Sequence, residues 1–309
     1  MAIVIISDFA SPEPWIKALK EADPKVEVLL HTDLTDYTNV KFALAWNHPP
    51  GIFMQFPNLK TISSMGAGVD HLLKDPDIPA HINIVRIIDP RLSQDMFEFA
   101  LAVIMSRMKN LLHFRENQHQ KVWKKKRYLR MDQVKIGVMG TGVIGHHVAS
   151  NLQRVGFHVL GWSRSEGQPT AYKKYFGQEQ LEEFLKNTDI LICLLPLTPD
   201  TRGILNKNTL CMLPAGAWVV NLGRGPLLVD EDLINLLDIG HLAGANLDVF
   251  HKEPLTEDHP FWLHSKVHIT PHVASLTDPE SVAPQIIENY RRTLQNQPLL
   301  NLVDRKKGY

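Results

Sequence analysis

Two cysteines in 309 residues, Cys193 and Cys211, are too few for a disulfide framework or a cysteine-based metal cluster, and no metal site is expected. So few thiols suit a reducing compartment, and Cys193, inside the apolar run ILICLL, reads as a small buried hydrophobe. An excess of charge of either sign is also missing. The 33 basic and 33 acidic residues cancel, which argues against nucleic acid or an anionic membrane as a main partner. No apolar run approaches the roughly 18 residues of a membrane span. The N-terminal MAIVIISDF has neither a basic leader nor a cleavage site. The expected location is cytoplasmic. Low-complexity tracts and internal repeats are absent as well. What is present, 44% hydrophobic and 21% charged residues, is an ordinary globular composition. The length exceeds one typical core, so two domains are expected. One local run, Lys121–Arg130 (KVWKKKRYLR), departs from this balance. It reads as a solvated connection anchored by Trp123, with a phosphate- or partner-binding patch as the alternative.

Short apolar runs alternate with helical stretches through the first hundred residues. Ile3–Ser7, Val26–Leu30, Phe42–Trp46, Thr61–Met65 and Ile84–Ile87 read as buried parallel strands, with helices such as Glu13–Glu21 between them. That rhythm implies a doubly wound sheet. From Asp95 the stretch MFEFALAVIMSRMKNLLHF has helical length and is expected to lead into a second domain. A fresh α/β series begins at Val134. Strands are expected at Val134–Met139, His158–Trp162, Ile190–Leu194, Trp218–Leu222, Gly244–Leu247 and Val267–Ile269. Helices are expected after Gly142, near Gln178, at Asn206, at Asp230 and over Pro279–Gln295, the last returning to the first domain.

Gly140-Thr141-Gly142-Val143-Ile144-Gly145 follows the strand VKIGVM and opens the helix HHVASNLQRV. A lone GxGxxG is weak, but between a strand and a helix it is a dinucleotide-binding fingerprint. The first glycine makes the turn, the second admits the pyrophosphate, and the third lets helix and strand pack. The helix N-terminus then offers free N–H groups to phosphate. The next strand ends at Ser163-Arg164-Ser165, where an NAD site would place Asp or Glu. With no carboxylate to bond a ribose 2′-hydroxyl and an arginine able to pair with a 2′-phosphate, NADPH is favoured, with NADH as the weaker option.

Arg224 lies between Gly223 and Gly225 after the strand WVVNL, at the carboxyl end of a sheet, where open α/β sheets bind ligands. The flanking glycines suggest close approach of backbone to a ligand. Glu253 follows Asp248 in LDVFHKEPL, and His272 follows Pro271 in ITPHVAS. Most of the 15 histidines must be surface or packing residues. Three candidates near strand ends on one side of a cofactor fold are harder to dismiss. Glu253 would stabilise protonated His272, which would pass a proton to a substrate oxygen as hydride reaches carbon. Such general acid catalysis is worth about 10² to 10⁴ in rate. Arg224 would hold the carboxylate of a 2-oxo acid and stabilise the developing alkoxide, on the order of 10²-fold or more. In the first domain, Met65-Gly66-Ala67-Gly68-Val69-Asp70 resembles a backbone nest able to hold a carboxylate, the alternative being a plain αβ turn. Trp46, before Asn47-His48-Pro49-Pro50, reads as a pocket wall or as core. Substrate would then bind in a cleft between the two domains.

Together GTGVIG (140–145), LLPLTPDTRGIL (194–205), NLGRGPLLVDEDLINLL (221–237), GANLDVFHKEPL (244–255) and ITPHVA (269–274) resemble the D-isomer-specific 2-hydroxyacid dehydrogenases over nearly the whole chain. AWNHPP (45–50), SMGAGVDHLL (64–73), GWSRS (161–165) and the ending VDRKKGY are similar to the glyoxylate/hydroxypyruvate reductase A group of that family. The resemblance implies two doubly wound α/β domains. A Rossmann cofactor domain (99–278) would be inserted into a flavodoxin-like substrate domain (1–98 and 279–309). It implies NADPH-dependent reduction of glyoxylate and hydroxypyruvate, with Arg224, Glu253 and His272 as the catalytic trio. Pro196 and Thr201 would lie near the nicotinamide and Asp248 near its carboxamide. Leu195, Leu222, Gly223, Arg224, His272 and Ala274 would be further cofactor contacts. A homodimer through part of Ala100–Arg130 is also implied. Gly223 departs from the alanine frequent in that group, and Asp89–Ser93 (DPRLS) departs from its usual loop, which bears on side-chain specificity. The rivals are a reductase of bulkier acids such as phenylpyruvate and a nicotinamide-sensing corepressor-like protein. The second is disfavoured because the chain reaches Tyr309 without an extended tail.

Overall fold

In β1 (Ala2–Ser7), Ile3 and Ile5 enter one core cluster while Val4 and Ile6 enter another. Both faces of the strand are covered, which is why its run is apolar throughout. β2 (Glu27–Leu30), β3 (Phe42–Trp46), β4 (Thr61–Ser64) and β5 (Asn83–Val85) complete a parallel sheet of order β2-β1-β3-β4-β5. That is the flavodoxin-like order, with its reversal between β1 and β3. α1 (Glu13–Ala22) buries Trp15, Ala18 and Leu19, a stripe at helical spacing. α2 (Asp70–Leu73) is one turn following β4. The structure is a computed structural model that describes residues 2–7 and 11–309.

Where the sequence suggests one continuous helix, the structure has two, α3 (Pro90–Met108) and α4 (Leu111–His119). The break falls at Asn110, whose φ of 55° is left-handed. Asparagine tolerates that region better than other side chains, so the helix ends there and LLHF starts a new one. The second sheet is formed by β6 (Lys135–Met139), β7 (His158–Ser163), β8 (Lys173–Phe176), β9 (Ile190–Cys193), β10 (Ala217–Asn221), β11 (Leu242–Leu247) and β12 (Val267–Ile269). Its order is β12-β11-β10-β9-β6-β7-β8, all parallel. The edge strand β8 was not foreseen, because its KKYF carries too little apolar character to read as a buried strand. Helices α5 (Val143–Arg154), α6 (Leu181–Lys186), α7 (Lys207–Leu210) and α8 (Asp230–Asp238) connect these strands. Strand order reverses between β6 and β9, the topological switch point at which such sheets bind ligands.

α9 (Pro279–Gln295) starts where Asp278 caps Glu280 N–H, and its Val282, Ile286, Ile287 and Tyr290 share a core with Ile3 and Ile5. The chain accordingly divides into a first unit, 1–92 with 277–309, and a second unit, 93–276. Among the described residues no helix is long and apolar enough to cross a membrane. The Lys121–Arg130 segment is exposed and irregular, and Trp123 is 98% exposed, so it does not anchor the segment within this chain as the sequence suggested.

Candidate functional site

Three glycines of the fingerprint do three different things. Gly140 has φ 104°, and a Cβ there would stand 2.8 Å from the Leu194 carbonyl carbon and oxygen and from Leu195 N. The turn is thereby pressed onto the end of β9, across the switch point. Gly145 lies so close to the turn that a Cβ would be 1.8 Å from the Gly140 carbonyl oxygen. Gly142, the N-cap of α5, has open space where its Cβ would point. That opening is a cradle through which a pyrophosphate can approach the first N–H groups of the helix. Val143 is half exposed at this helix start, Ile144 is partly buried, and Leu195 and Leu222 are buried beside the turn's neighbours. These residues fit a dinucleotide.

At the end of β7, Ser163 Oγ donates to Ser165 O at 2.7 Å. Arg164 Nη1 lies 3.3 Å from Asp200 Oδ2. The inference that no carboxylate is at hand is therefore corrected: one comes not from β7 but from the loop after β9. Sequence reasoning missed it because Asp200 is remote in the chain and sits in a TPD turn that reads as a simple loop.

Arg224, Glu253 and His272 leave the carboxyl ends of β10, β11 and β12, three adjacent strands. His272 Nδ1 is 2.7 Å from Glu253 Oε2, with each side chain a little over a third exposed. Glu253 Oε1 accepts the Phe250 N–H at 2.9 Å. Burial pushes the Glu253 carboxyl upward, but the bonds from His272 and Phe250, with the charge of Arg224 added, hold it below its ordinary value. His272 itself has φ 54°, a left-handed conformation uncommon for a non-glycine residue and held here by its neighbours. Asp248 supplies the constraint. Its carbonyl accepts His272 N–H at 2.8 Å. Its buried carboxylate takes Thr270 Oγ1 at 2.6 Å and Val273 N–H at 3.0 Å on one oxygen, and Ala274 N–H at 2.9 Å on the other.

Asn221 plays the same part for Arg224. Fully buried at the end of β10, it accepts Gly223 N–H at 3.2 Å and donates to Arg224 O at 3.0 Å. Arg224 Nη1 donates to Gly223 O at 2.8 Å. The glycines around Arg224 approach protein rather than open space. A Cβ on Gly225 would stand 1.9 Å from the Phe250 carbonyl carbon, and one on Gly223 would be 2.9 Å from Leu195 O. The signal for Asn221 was a polar residue closing an apolar strand, which the sequence reading passed over. Thr201 uses its hydroxyl inside its own loop, donating to Pro196 O at 2.7 Å and accepting Thr198 N–H at 2.8 Å.

In the first unit, Trp46 is packed against Gly66, where a Cβ would come within 2.8 Å of the indole. Its ring centroid lies 4.6 Å from that of His71. Met65 is buried, its N–H bonded to Ala45 O, and Gly66 N–H goes to Ser64 Oγ. Two donors of the expected nest are thus engaged internally, and Ala67 and Gly68 follow them, both partly exposed. Arg91 pairs with Asp278 at 2.5 Å. An open groove of the second unit lies at none of these residues; Phe99, Val103, Leu112 and Trp262 line it.

The family model described as D-isomer specific 2-hydroxyacid dehydrogenase, NAD binding domain, matches residues 101–274. Glyoxylate/hydroxypyruvate reductase A of Photorhabdus laumondii is 35% identical over the full length of both chains, and that of Serratia proteamaculans 36%. Among solved structures, a D-isomer specific 2-hydroxyacid dehydrogenase from Xanthobacter autotrophicus Py2 in complex with NADPH and MES has a TM-score of 0.95 at 38% identity. An NADPH-dependent glyoxylate/hydroxypyruvate reductase from Sinorhizobium meliloti in complex with NADP and sulfate has 0.93 at 34%. In both cases 100% of this chain and 99% of the other are covered.

Proposed function

Since the chain belongs to the D-isomer specific 2-hydroxyacid dehydrogenase family, we propose that it reduces small 2-oxo acids with NADPH, glyoxylate to glycolate and hydroxypyruvate to D-glycerate. The observation that carries this reading is the 2.7 Å bond between His272 Nδ1 and Glu253, beside Arg224. Gly140–Gly145 and Arg164 would hold NADPH, which would supply the hydride. Arg224 grips the substrate carboxylate, a task suited to its planar fork of donors. His272 Nε2 gives its proton to the carbonyl oxygen, while Glu253 keeps Nδ1 protonated and stabilises the cationic ring. Pro196, Thr201 and Asp248 shape the nicotinamide end, the last two by fixing loops. For the first unit we propose substrate contacts at Trp46 and along Met65–Gly68.

The test follows loss of reduced-nicotinamide absorbance with NADPH or NADH against glyoxylate, hydroxypyruvate, pyruvate and phenylpyruvate. Fastest turnover is expected with NADPH and either glyoxylate or hydroxypyruvate. No turnover with any combination refutes an enzymatic role, and a preference for phenylpyruvate refutes the substrate class. We further propose a homodimer through residues 100–130. Trp123 is 98% exposed and Leu111 55%, and Phe99, Val103 and Leu112 of the same stretch line a groove of about 590 Å³. Large apolar side chains left exposed favour association surfaces.

A further inference from the structure

We propose that Asp200 narrows the nucleotide preference of this chain by competing with the 2′-phosphate of NADPH for Arg164. The inference rests on the reading of the second unit as an NADPH site. Arg164 is the cation of the Ser163-Arg164-Ser165 turn, and its Nη1 lies 3.3 Å from Asp200 Oδ2. Asp200 does not arrive there on a loose loop. Thr201 Oγ1 donates to Pro196 O and accepts Thr198 N–H, while Thr198 O accepts the N–H groups of Thr201 and Arg202 at 3.2 and 3.0 Å. The turn that carries Asp200 is closed on both sides of it.

A phosphate that engages Arg164 must loosen this pair or share the guanidinium with a carboxylate, and two like charges at one cation repel. A 2′-hydroxyl brings no charge and can donate to the carboxylate. That is the part an acid at the end of β7 plays in NAD sites, and Ser163-Arg164-Ser165 has none. Asp200 thus supplies from the β9 loop the carboxylate missing from β7. It narrows the preference for NADPH and leaves the site open to NADH. With side chains 49% and 74% exposed, solvent screens the pair, so the effect is about two- to fivefold in affinity.

The experiment titrates the full-length protein and Asp200→Asn with NADPH, NADH and 2′,5′-ADP, following nucleotide fluorescence or its displacement, at low and high salt. Asp200→Asn is expected to tighten NADPH and 2′,5′-ADP about two- to fivefold without tightening NADH, and the gain should shrink with salt. Equal changes for both nucleotides, or weaker NADPH binding in the variant, would overturn the proposal. Wild-type protein that binds neither nucleotide fails the NADPH reading itself, and the inference falls with it.

Discussion

Glu253→Gln keeps the shape of the side chain and removes its charge. The carboxylate now takes His272 Nδ1 on one oxygen and Phe250 N–H on the other. Glutamine has one carbonyl oxygen for the two donors, so one of the bonds is lost. A hydrogen bond to a charged group contributes about 1.5–3 kcal/mol. Since 36% of the Glu253 side chain and 37% of His272 are exposed, the lower end applies, about 1.5 kcal/mol or roughly tenfold in rate. The bond matters most when the imidazole carries its proton, so kcat for reduction should fall about tenfold with KM little changed. Stability should respond to acid as well. Glu253 is held below its ordinary 4.5, so its contribution to folding is complete above that value and is lost as pH falls through the lowered one. Steady-state rates from mildly acid to mildly alkaline buffers, with a melting curve for each protein, decide the matter. A variant with the wild-type rate would refute the reasoning and leave Glu253 as a loop anchor only.

Asp248→Asn places an amide donor against one of the three donors that its carboxylate now accepts. About 1.5–3 kcal/mol of stability should go with it, together with a fall in kcat as His272 shifts; an unchanged Tm would refute this. His272→Asn should lose about 10² to 10⁴ in rate yet melt close to wild type, because asparagine tolerates the left-handed backbone. His272→Val should melt lower, and equal Tm values for the two would show that φ at 272 is not under constraint. Trp123→Ser should move a dimer toward monomer in sedimentation experiments, since a buried interface tryptophan contributes about 2 kcal/mol or more; an undisturbed dimer, or a monomeric wild type, would count against residues 100–130 as the interface.

The strands were legible because both sheets are parallel and covered on two faces, which writes them as apolar runs such as IVII and ILIC. β8 escaped because an edge strand has only one neighbour and KKYF looks like surface. The fingerprint was legible since two of its glycines answer a steric demand, with Cβ positions 2.8 Å and 1.8 Å from backbone for Gly140 and Gly145, and Gly142 leaves open the space a phosphate would need. Asp248 as a loop anchor was not legible. Its importance depends on donors up to 26 residues away, as in the bond from Ala274 N–H to Asp248. Asp200 was hidden for the same reason, and the ion pair of Arg164 appears only when the loops after β7 and β9 are brought together. Trp123 misled in the other direction: an aromatic in a basic run suggests an anchor, and this one is in solvent.

The trio comes together because β10, β11 and β12 are paired in register, Asn221 beside Leu247 and Leu247 beside Ile269. Chains leaving three neighbouring strands at one level start about 4.8 Å apart, so residues a short loop later can bond although the sequence separates them widely. Arg224 and His272 follow their strands closely, and one buried polar side chain suffices to fix each. Glu253 is carried farther out, and its loop needs a second support. Gly225 provides it. Without a Cβ, the backbone after Arg224 lies directly on the Phe250 carbonyl, at a distance no side chain could share. Phe250 in turn donates its N–H to Glu253. The glycine beside the arginine therefore serves the glutamate, and through it the histidine. The arginine loop and the Glu253–His272 pair form one backbone-packed unit, and a shift in either is transmitted to the other.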